Sequence, residues 1–578
     1  MNACNLKTGF VPIVNSFERR DGAGSIGWPT LSQLTCAAPE TPLDFRRSLT
    51  NFAAINLRPK PKRLLGHSRK RWLALLCALC AAAALTGPVA AQTAPVDTHD
   101  RFYWLGEQNK ASVAMLAERG ISTRDLAAQI AESIKQVIAD AAKPGAPRPG
   151  DYLEVEKSMI AVGGPEVTRI HSGRSRQDMG QTSFRLILRE ELLSAYERFI
   201  EAREALLKLA ESNPNAILPF NTHAVQAQPT SLGHYLGGYL EALSRESDRY
   251  RETWARVNLS PLGGAAGGTS SFPIDRQRLA KLLGFDGVLV NSFDSGQVAN
   301  LDVGVDVSSL AASGALTVGM LMSDILMQYP NPRPWFQLAE GQQTGISSIM
   351  PQKRNPIGLE NVLRATGEVS GKAVTYLIES QNIPSGSGVY KSATPIEVTR
   401  ASREMYQATA DVLGALVFYP DRALERVNED YGATTELADE LQRDENVPFR
   451  VGHHFASELV TFGRANNLKP AQLPYAEAQR IYTKAANDFH LSQTKLPLSE
   501  TQFRRALTAE NMVQSAEPLG GPQLAEVERR TTAAYRRSGL ACRDTIETRG
   551  GCAGAGRRAC KFDALNTQSD GPARSGRA

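Results

Sequence analysis

Apolar residues recur at helical spacing along the middle of the chain. They share one helix face, with charged residues between them, in two stretches that run through Leu188, Leu192, Tyr196, Phe199 and Leu206, and through Leu232, Tyr235, Leu236, Tyr239, Leu240 and Leu243. Recurrence every three or four residues is the pattern of a helix that buries one face. The spacing therefore predicts two long amphipathic helices.

A third stretch, residues 307–323, carries no charge and is apolar or small on every side. Such a helix either spans a membrane or lies at the centre of a bundle. Its serine, glycine and threonine content and the flanking Asp306 and Asp324 favour the bundle. Because one chain supplies few partners for a helix that is apolar all round, we expect oligomerisation. A further helix is expected over residues 359–379.

Strand signals are sparse, since the chain has no alternating apolar segments, no series of hairpin turns and no βαβ rhythm. We therefore expect an all-α fold around an extended helical bundle. The predicted organisation is a disordered leader with an export signal (1–91), an N-terminal helical domain (92–180), a central helical-bundle domain (181–425), a C-terminal helical domain (426–540) and a disordered tail (541–578).

Composition narrows the class of protein only slightly. The 578 residues are 22% charged and 42% hydrophobic, as in ordinary soluble proteins, and the formal net charge is +5. Much of the basic excess lies near the two ends, for example in "RPKPKRLLGHSRKRW". We therefore expect no nucleic-acid partner.

Residues 69–91 have the features of an export signal: a basic patch, a short apolar run and small residues suited to cleavage after Ala91. The run is too short and too alanine-rich for a membrane span, so we expect no membrane association after its removal. Because 68 residues precede the signal, we expect an over-long gene start; the alternative is a leaderless, cytoplasmic protein.

The distribution of cysteines agrees with export to the periplasm. All seven lie at positions 4, 36, 77, 80, 542, 552 and 560, so that residues 92–541 contain none. A thiol-free body suits an oxidising compartment, where a stray thiol can mispair.

Three polar clusters interrupt the helical pattern. "HSGRSRQD" contains Arg174 and Arg176, whose guanidinium groups are suited to gripping carboxylates, although a solvated helix cap has the same composition. "NTHAVQAQPT" contains Thr222 and His223. Imidazole is the natural proton shuttle near neutral pH, although an isolated histidine is more often structural.

The third cluster is the loop "GISSIMPQKRNP", residues 345–356. Gly345 makes its start pliable, and Pro351 and Pro356 prevent a regular helix. Its polar side chains are able to close over a ligand, and the alternative is an exposed polar loop. Glu360 follows at the start of a helix, where a carboxylate can orient a histidine.

No metal or cofactor motif accompanies these clusters. His453 and His454 are adjacent rather than at helix-face spacing, and the chain contains neither HExxH nor GxSxG. We therefore expect a reaction without metal or cofactor that uses one serine, one histidine and anion-binding groups.

Together, "HSGRSRQD", "THAVQAQP", "RVNLSPLGGAAGGTSSFPIDRQRLAKLLGFDG" and "GISSIMPQKRNP" resemble the argininosuccinate lyase and delta-crystallin family of the fumarase/aspartase superfamily. The similarity continues to "GGPQLAEVERR" and covers roughly residues 150–535. It implies an all-α, three-domain lyase with a long central helical bundle. It also implies a homotetramer with active sites shared by three subunits, and β-elimination of an N-substituted aspartate to fumarate and an amine, which is arginine for argininosuccinate.

The resemblance also implies roles for individual residues. Ser347 would be the base that removes the proton next to the succinyl carboxylate, and His223, paired with Glu360, would assist proton transfer to the departing nitrogen. The implied substrate-binding residues are Thr222, Arg176, Gln177, Lys353 and Asn355.

Two departures from the family pattern concern the substrate. Gln177 stands where the family usually has asparagine, and the family's "YNKDLQEDK" stretch, which contacts the amino-acid half, is here "SGSGVYKSATPIE", residues 385–397. Tyr390 and Lys391 are the residues there that would substitute for its contacts. The "DSGQVANLD" segment also lacks the usual acidic-arginine pattern.

Three functions therefore stay open. The first is an argininosuccinate lyase, whose role in arginine biosynthesis would fit the cytoplasm better than export. The second is an exported lyase for another N-succinyl amine or an aminopolycarboxylate. The third is a non-catalytic, delta-crystallin-like structural protein, against which the joint presence of the five residues Ser347, His223, Lys353, Asn355 and Glu360 argues.

Overall fold

A computed structural model describes residues 99–387 and 392–535, with side chains to residue 530. The predicted export signal, the rest of the predicted leader 1–91 and the predicted tail 541–578 lie outside the described residues, as do Tyr390 and Lys391. The domain limits predicted from the sequence stay predictions.

The N-terminal region is helical, as the sequence predicts. Its elements are α1 (Arg101–Glu118), α2 (Arg124–Ala141), α3 (Tyr152–Gly163) and a short 3₁₀ helix (Pro165–His171). Asp100, Thr123 and Asp151 cap the three α-helices, each side chain accepting a hydrogen bond from a backbone N–H of the first turn. Trp104 and Ile130 are buried in the core of this region.

Five long helices form the central bundle, and both predicted amphipathic helices are among them. The elements of this part are α4 (Arg176–Ser212), α5 (Leu232–Val257), the short α6 (Arg276–Leu282), α7 (Ala299–Met327), α8 (Ile357–Glu379) and α9 (Thr394–Ala415). Leu192, Phe199 and Leu236, from the predicted apolar faces, are buried in the bundle core. The pattern thus identified the faces that pack.

Side-chain contacts establish the direction of each long helix. Near the start of α4, Arg185 donates to the carbonyls of Val257, at the end of α5, and of Ala299, at the start of α7. Glu191 on α4 pairs with Arg400, early in α9, and Gly304, early in α7, packs against the ring of Tyr376, near the end of α8. The starts of α4, α7 and α9 therefore share one end of the bundle with the ends of α5 and α8.

The apolar stretch 307–323 lies within α7. With its preceding turn, Asp294–Met327, this helix is long and apolar enough to cross a bilayer, a test that core helices of soluble proteins also pass. Val307 and Met322 are buried in the bundle core. Leu316 and Met320 on the same helix are 69% and 63% exposed, so the chain leaves part of this apolar helix uncovered.

The C-terminal region is also helical, as predicted. Its elements are α10 (Pro420–Asn428), α11 (Thr434–Arg443), α12 (Phe449–Ala465), a 3₁₀ helix (Pro470–Gln472), α13 (Tyr475–Asp488), α14 (Glu500–Ala506), α15 (Ala509–Ser515) and α16 (Leu524–Tyr535). Phe455, Tyr482 and Phe503 are buried in a core of their own. Chain segments at the C-terminus also reach the start of α5, where Ser231 donates to the carbonyl of Pro522.

The fold class is all-α, as expected from the sparse strand signals, but the structure also contains short strands that the sequence pattern did not indicate. Short strands form four two-stranded sheets within the described residues: β1 (Ile217–Thr222) with β2 (Val225–Ser231), β3 (Leu259–Ser260) with β4 (Gly287–Val288), β5 (Phe336–Leu338) with β8 (Leu416–Phe418), and β6 (Gly345–Ile346) with β7 (Arg354–Asn355). The turn between β1 and β2 is His223–Ala224, with φ of 51° and 61°. Without a glycine there, the turn lacks the usual hairpin signal.

Candidate active site

The motif "HSGRSRQD" forms the start of α4. Ser175 is the N-cap, and its side chain and that of Asp178 form a reciprocal capping box. Arg176 is the first residue of the helix, with a side chain that is 60% exposed and lies 3.6 Å from the Asp151 carboxylate. Gln177 donates through Nε2 to the carbonyl of Gly296, at 2.6 Å. Arg176 is thus available to a ligand.

Arg174, the other arginine of this motif, is buried. Its guanidinium donates to Asn109 Oδ1, Ser112 Oγ and the Tyr152 hydroxyl at 2.9 to 3.1 Å. Burial raises the pKa of Tyr152 to about 12, so that the hydroxyl stays neutral. The Arg174 side chain therefore holds the start of α4 against α1 and α3.

Thr222 and His223 lie at the tip of the β1–β2 hairpin and are exposed. Close to the tip, Gln226 donates to the carbonyl of Val427 on α10, which anchors this part of the hairpin. The hairpin joins the end of α4 to the start of α5, so it lies at the opposite end of the bundle from Arg176.

The loop "GISSIMPQKRNP" is closed by the β6–β7 pair, in which Gly345 faces Asn355. Ser347 Oγ accepts from the backbone N–H of Met350 at 3.0 Å. Lys353 is exposed, and within the described chain its ammonium group has no hydrogen bond or ion pair. The loop therefore presents a cation and a serine at the same end of the bundle as the hairpin tip.

Glu360 lies in the first turn of α8 and is exposed. Among the described residues, no hydrogen bond or ion pair joins it to His223, and their pairing stays a prediction. No group of three or more His, Cys, Asp or Glu side chains in residues 99–387 and 392–535 is arranged to hold a metal ion.

One chain does not bring all the predicted site residues together. Arg176 and Gln177 begin α4, whereas the hairpin tip and the Ser347 loop follow the far ends of α4 and α7. Helix α4 has 37 residues, which corresponds to roughly 55 Å at 1.5 Å per residue. A site that uses both groups needs more than one copy of the chain.

Asp178 is a further buried residue of this region. Its carboxylate is fully buried and accepts backbone N–H groups from its own helix and from Gly263 and Ala265. Burial raises its pKa to about 6, despite these hydrogen bonds and the charge of Arg174. The sequence shows the serine and the aspartate of the capping box three residues apart. It gives no sign of the other backbone partners, Gly263 and Ala265, which lie 85 and 87 residues away from Asp178.

The fold places the protein in a class of enzymes. The structure superimposes on class II fumarase from Schistosoma mansoni with a TM-score of 0.55 and 17% identity, over 71% of this chain and 90% of that one, which shows the shared fold. It superimposes on EDDS lyase with a TM-score of 0.69 and 28% identity, over 81% of this chain and 91% of that one. Residues 103–371 match the Lyase family. The chain is a lyase of the fumarase/aspartase superfamily.

Sequence relatives identify the branch. Residues 431–514 match the Argininosuccinate lyase C-terminal family. Argininosuccinate lyase from Methylibium petroleiphilum is 30% identical over 75% of this chain and 91% of its own length, and that from Maricaulis maris is 33% identical over 64% and 79%. The chain belongs to the argininosuccinate lyase family. It is a carbon–nitrogen lyase that releases fumarate.

Proposed function

We propose that the protein eliminates an amine from an N-substituted aspartate, with argininosuccinate as the first candidate substrate and arginine as its amine product. The observation that carries this proposal is the loop around Ser347, which contains a serine, an exposed lysine and an asparagine within nine residues. Relatives named argininosuccinate lyase at 30% to 33% identity support the choice of substrate.

In the proposed reaction, Ser347 as its alkoxide takes the proton from the carbon next to the succinyl carboxylate. The electron pair of the broken C–H bond forms the double bond of fumarate, and the C–N bond breaks. His223, oriented by Glu360, delivers a proton to the departing nitrogen. Serine is a weak base, so the alkoxide needs stabilisation, which the nearby Lys353 cation supplies.

The remaining site residues hold the two carboxylates of the succinyl half. Lys353, Asn355 and Thr222 lie beside the reacting groups in the loop and the hairpin, and they stabilise the charge that builds up on the carboxylate. Arg176 grips a carboxylate with its guanidinium group, and Gln177 lies beside it. Closure of the exposed loop over the substrate excludes water and strengthens these interactions.

The site is proposed to be assembled from three subunits of a homotetramer. The separation of Arg176 from the Ser347 loop along α4 supports this assembly, because the two groups meet only if copies pack with their bundles side by side. The uncovered apolar side chains of Leu316 and Met320 on α7 provide a surface for such packing.

A second candidate function is elimination from a different N-succinyl amine or an aminopolycarboxylate, in the periplasm. Similarity to EDDS lyase favours it, as does the altered segment 385–397, which lacks the family's pattern for the amino-acid half. The export signal at 69–91 supports a location outside the cytoplasm. A non-catalytic, delta-crystallin-like role is the least supported, because the proposed catalytic residues are all present.

The test is fumarate release, followed by ultraviolet absorbance, from argininosuccinate, EDDS and a panel of other N-substituted aspartates. The assay uses protein that begins near Gln92. Ser347→Ala should abolish turnover, and Ser348→Ala, the adjacent serine of the same loop, is the matched control that should retain it. Turnover of argininosuccinate supports the first function, and turnover of other adducts alone supports the second. No fumarate from any substrate contradicts both and favours the structural role.

A further inference from the structure

The buried carboxylate of Asp178 joins two chain segments that are distant in sequence. Its Oδ1 accepts the backbone N–H groups of Ser175 and Met179 at 2.8 and 2.9 Å, and its Oδ2 accepts those of Gly263 and Ala265 at 2.8 and 3.1 Å. One oxygen therefore accepts hydrogen bonds from the first turn of α4. The other accepts them from the glycine-rich segment 261–268, here called the strap.

The backbone conformation of the strap depends on its hydrogen bonds to Asp178. Gly263 and Ala265 both have positive φ, at 85° and 52°, a conformation that alanine adopts at a cost. The carbonyl of Ala266 accepts from Gln297 Nε2 at 2.8 Å. The strap is therefore fastened on one side to α4 and on the other to the turn before α7.

The same turn contacts Gln177. Its Nε2 donates to the carbonyl of Gly296, the neighbour of Gln297. Gly296 also lies beside the strap, since a Cβ there would be in ordinary van der Waals contact, 3.8 Å, with Gly267 Cα. The first turn of α4, the strap and the turn before α7 thus form one connected unit. Arg176 extends from this unit, between the capping residue Ser175 and Gln177.

Charged groups around Asp178 are few. Arg174 lies on the adjoining part of the motif, and Arg276 of α6 also interacts electrostatically with the carboxylate. Both oxygens already accept two N–H groups each, and the side chain has no exposed surface. The carboxylate is therefore arranged to fix backbone positions rather than to exchange protons with a substrate.

We propose that Asp178 is a positioning residue of the active site, which fastens the strap to the first turn of α4 and thereby sets the positions of Arg176 and Gln177. The inference rests on the proposed roles of those two residues in binding the succinyl half. It assigns a function to the glycine-rich segment, which lacks the signature of a phosphate-binding loop.

The direct test is Asp178→Asn. The asparagine amide keeps one acceptor oxygen but turns an NH₂ group toward two backbone N–H donors, so the strap and the helix start separate. We expect KM for the N-substituted aspartate to rise roughly 10- to 100-fold, as for displaced positioning groups, with a smaller fall in kcat. Asp275→Asn is the matched control, because Asp275 caps α6 through one N–H and asparagine caps equally well.

A second test changes a residue of the strap. In Gly263→Ala, the new Cβ would lie 2.8 Å from Arg276 Cγ at a φ of +85°, so the strap must shift. The same rise in KM is expected. Gly284→Ala is the matched control, since Gly284 also has a positive φ of 68° but no close neighbour within the strap; it should lower stability and leave KM unchanged.

Folded Asp178→Asn and Gly263→Ala proteins with the KM of the wild type would overturn the inference. A fall in unfolding temperature without a KM change would also overturn it, because that is the result of a purely structural role. If the wild type released no fumarate from any substrate, the proposed function would be contradicted, and KM would no longer test the role of Asp178. Amide hydrogen exchange at Gly263 and Ala265 separates the two failures: faster exchange in Asp178→Asn would still show the fastening, and unchanged exchange would contradict it.

Discussion

Burial separates two arginines that are two positions apart and look alike in the sequence. Arg174 is enclosed and bonded to Asn109, Ser112 and Tyr152, whereas the side chain of Arg176 is 60% exposed with one weak partner. A buried guanidinium group with three internal hydrogen bonds supports packing, and an exposed one with a single weak partner is free to bind a ligand. Residue type alone does not distinguish the two roles.

Arg174→Met and Arg176→Met should therefore fail in different ways. Arg174→Met leaves buried polar partners unpaired, so we expect the free energy of unfolding to fall by about 2–4 kcal/mol. Arg176→Met should change stability by less than about 0.5 kcal/mol and raise KM by roughly 10-fold or more. Urea unfolding and steady-state kinetics measure the two effects. Equal stability losses in both variants would contradict this division.

The raised pKa of Asp178 makes stability depend on pH. Its pKa is 3.8 in the unfolded chain and about 6 in the folded protein, so between about pH 4 and 6 the folded state binds more protons. The free energy of unfolding should therefore fall as the pH rises through this window, by about 3 kcal/mol, and level off above pH 6. Urea unfolding of the wild type and Asp178→Asn at several pH values isolates the contribution. An equal gap between them at pH 4.5 and pH 7.5 would contradict it.

Among the elements, the β1–β2 hairpin is one that the sequence did not reveal. Its strands contain Pro219 and Pro229 and end in polar residues, so no alternation is visible. Its turn places His223 and Ala224 at positive φ without a glycine. The backbone strain lies at the position of the proposed proton donor, where it holds the imidazole at the tip of a short, anchored element.

Replacing Ala224 with glycine should relieve that strain. Glycine adopts a φ of 61° at no steric cost, so the free energy of unfolding is expected to rise by roughly 0.5–1 kcal/mol. The release of strain should also loosen the tip, so kcat should fall modestly. Urea unfolding and kinetics measure the two quantities. Ala227→Gly, in the following strand and away from the turn, is the control and should be destabilising.

For the whole molecule, the decisive feature is the length of the bundle. Arg176 lies at one end of α4, and the hairpin and the Ser347 loop follow the other ends of the bundle helices. The exposed Leu316 and Met320 lie between these ends on α7. An assembly in which two copies pack antiparallel through this middle region would bring the end of one copy near the opposite end of another.

Complementation tests the shared site directly. At substrate concentrations far below KM, Ser347→Ala should be inactive alone, and Arg176→Ala should keep about a tenth of wild-type activity or less. If each site takes the two residues from different subunits, an equal mixture of the two variants after subunit exchange should recover about a quarter of wild-type activity. A mixture of Ser347→Ala with Lys353→Ala, whose changes lie in the same loop, is the control and should recover none. Failure of the first mixture to recover activity would contradict sharing.

The helices, the all-α class and the family can be read from the sequence, because apolar spacing and polar motifs are properties of short stretches of chain. The sequence also contains every residue of the proposed site. Which residues lie together follows from the folded chain, in which Arg174 is buried, residues 217–231 form a hairpin and Asp178 accepts a hydrogen bond from Gly263. These outcomes depend on contacts between positions far apart in the chain. For the same reason, the length of α4 rather than any motif separates Arg176 from the Ser347 loop within one chain.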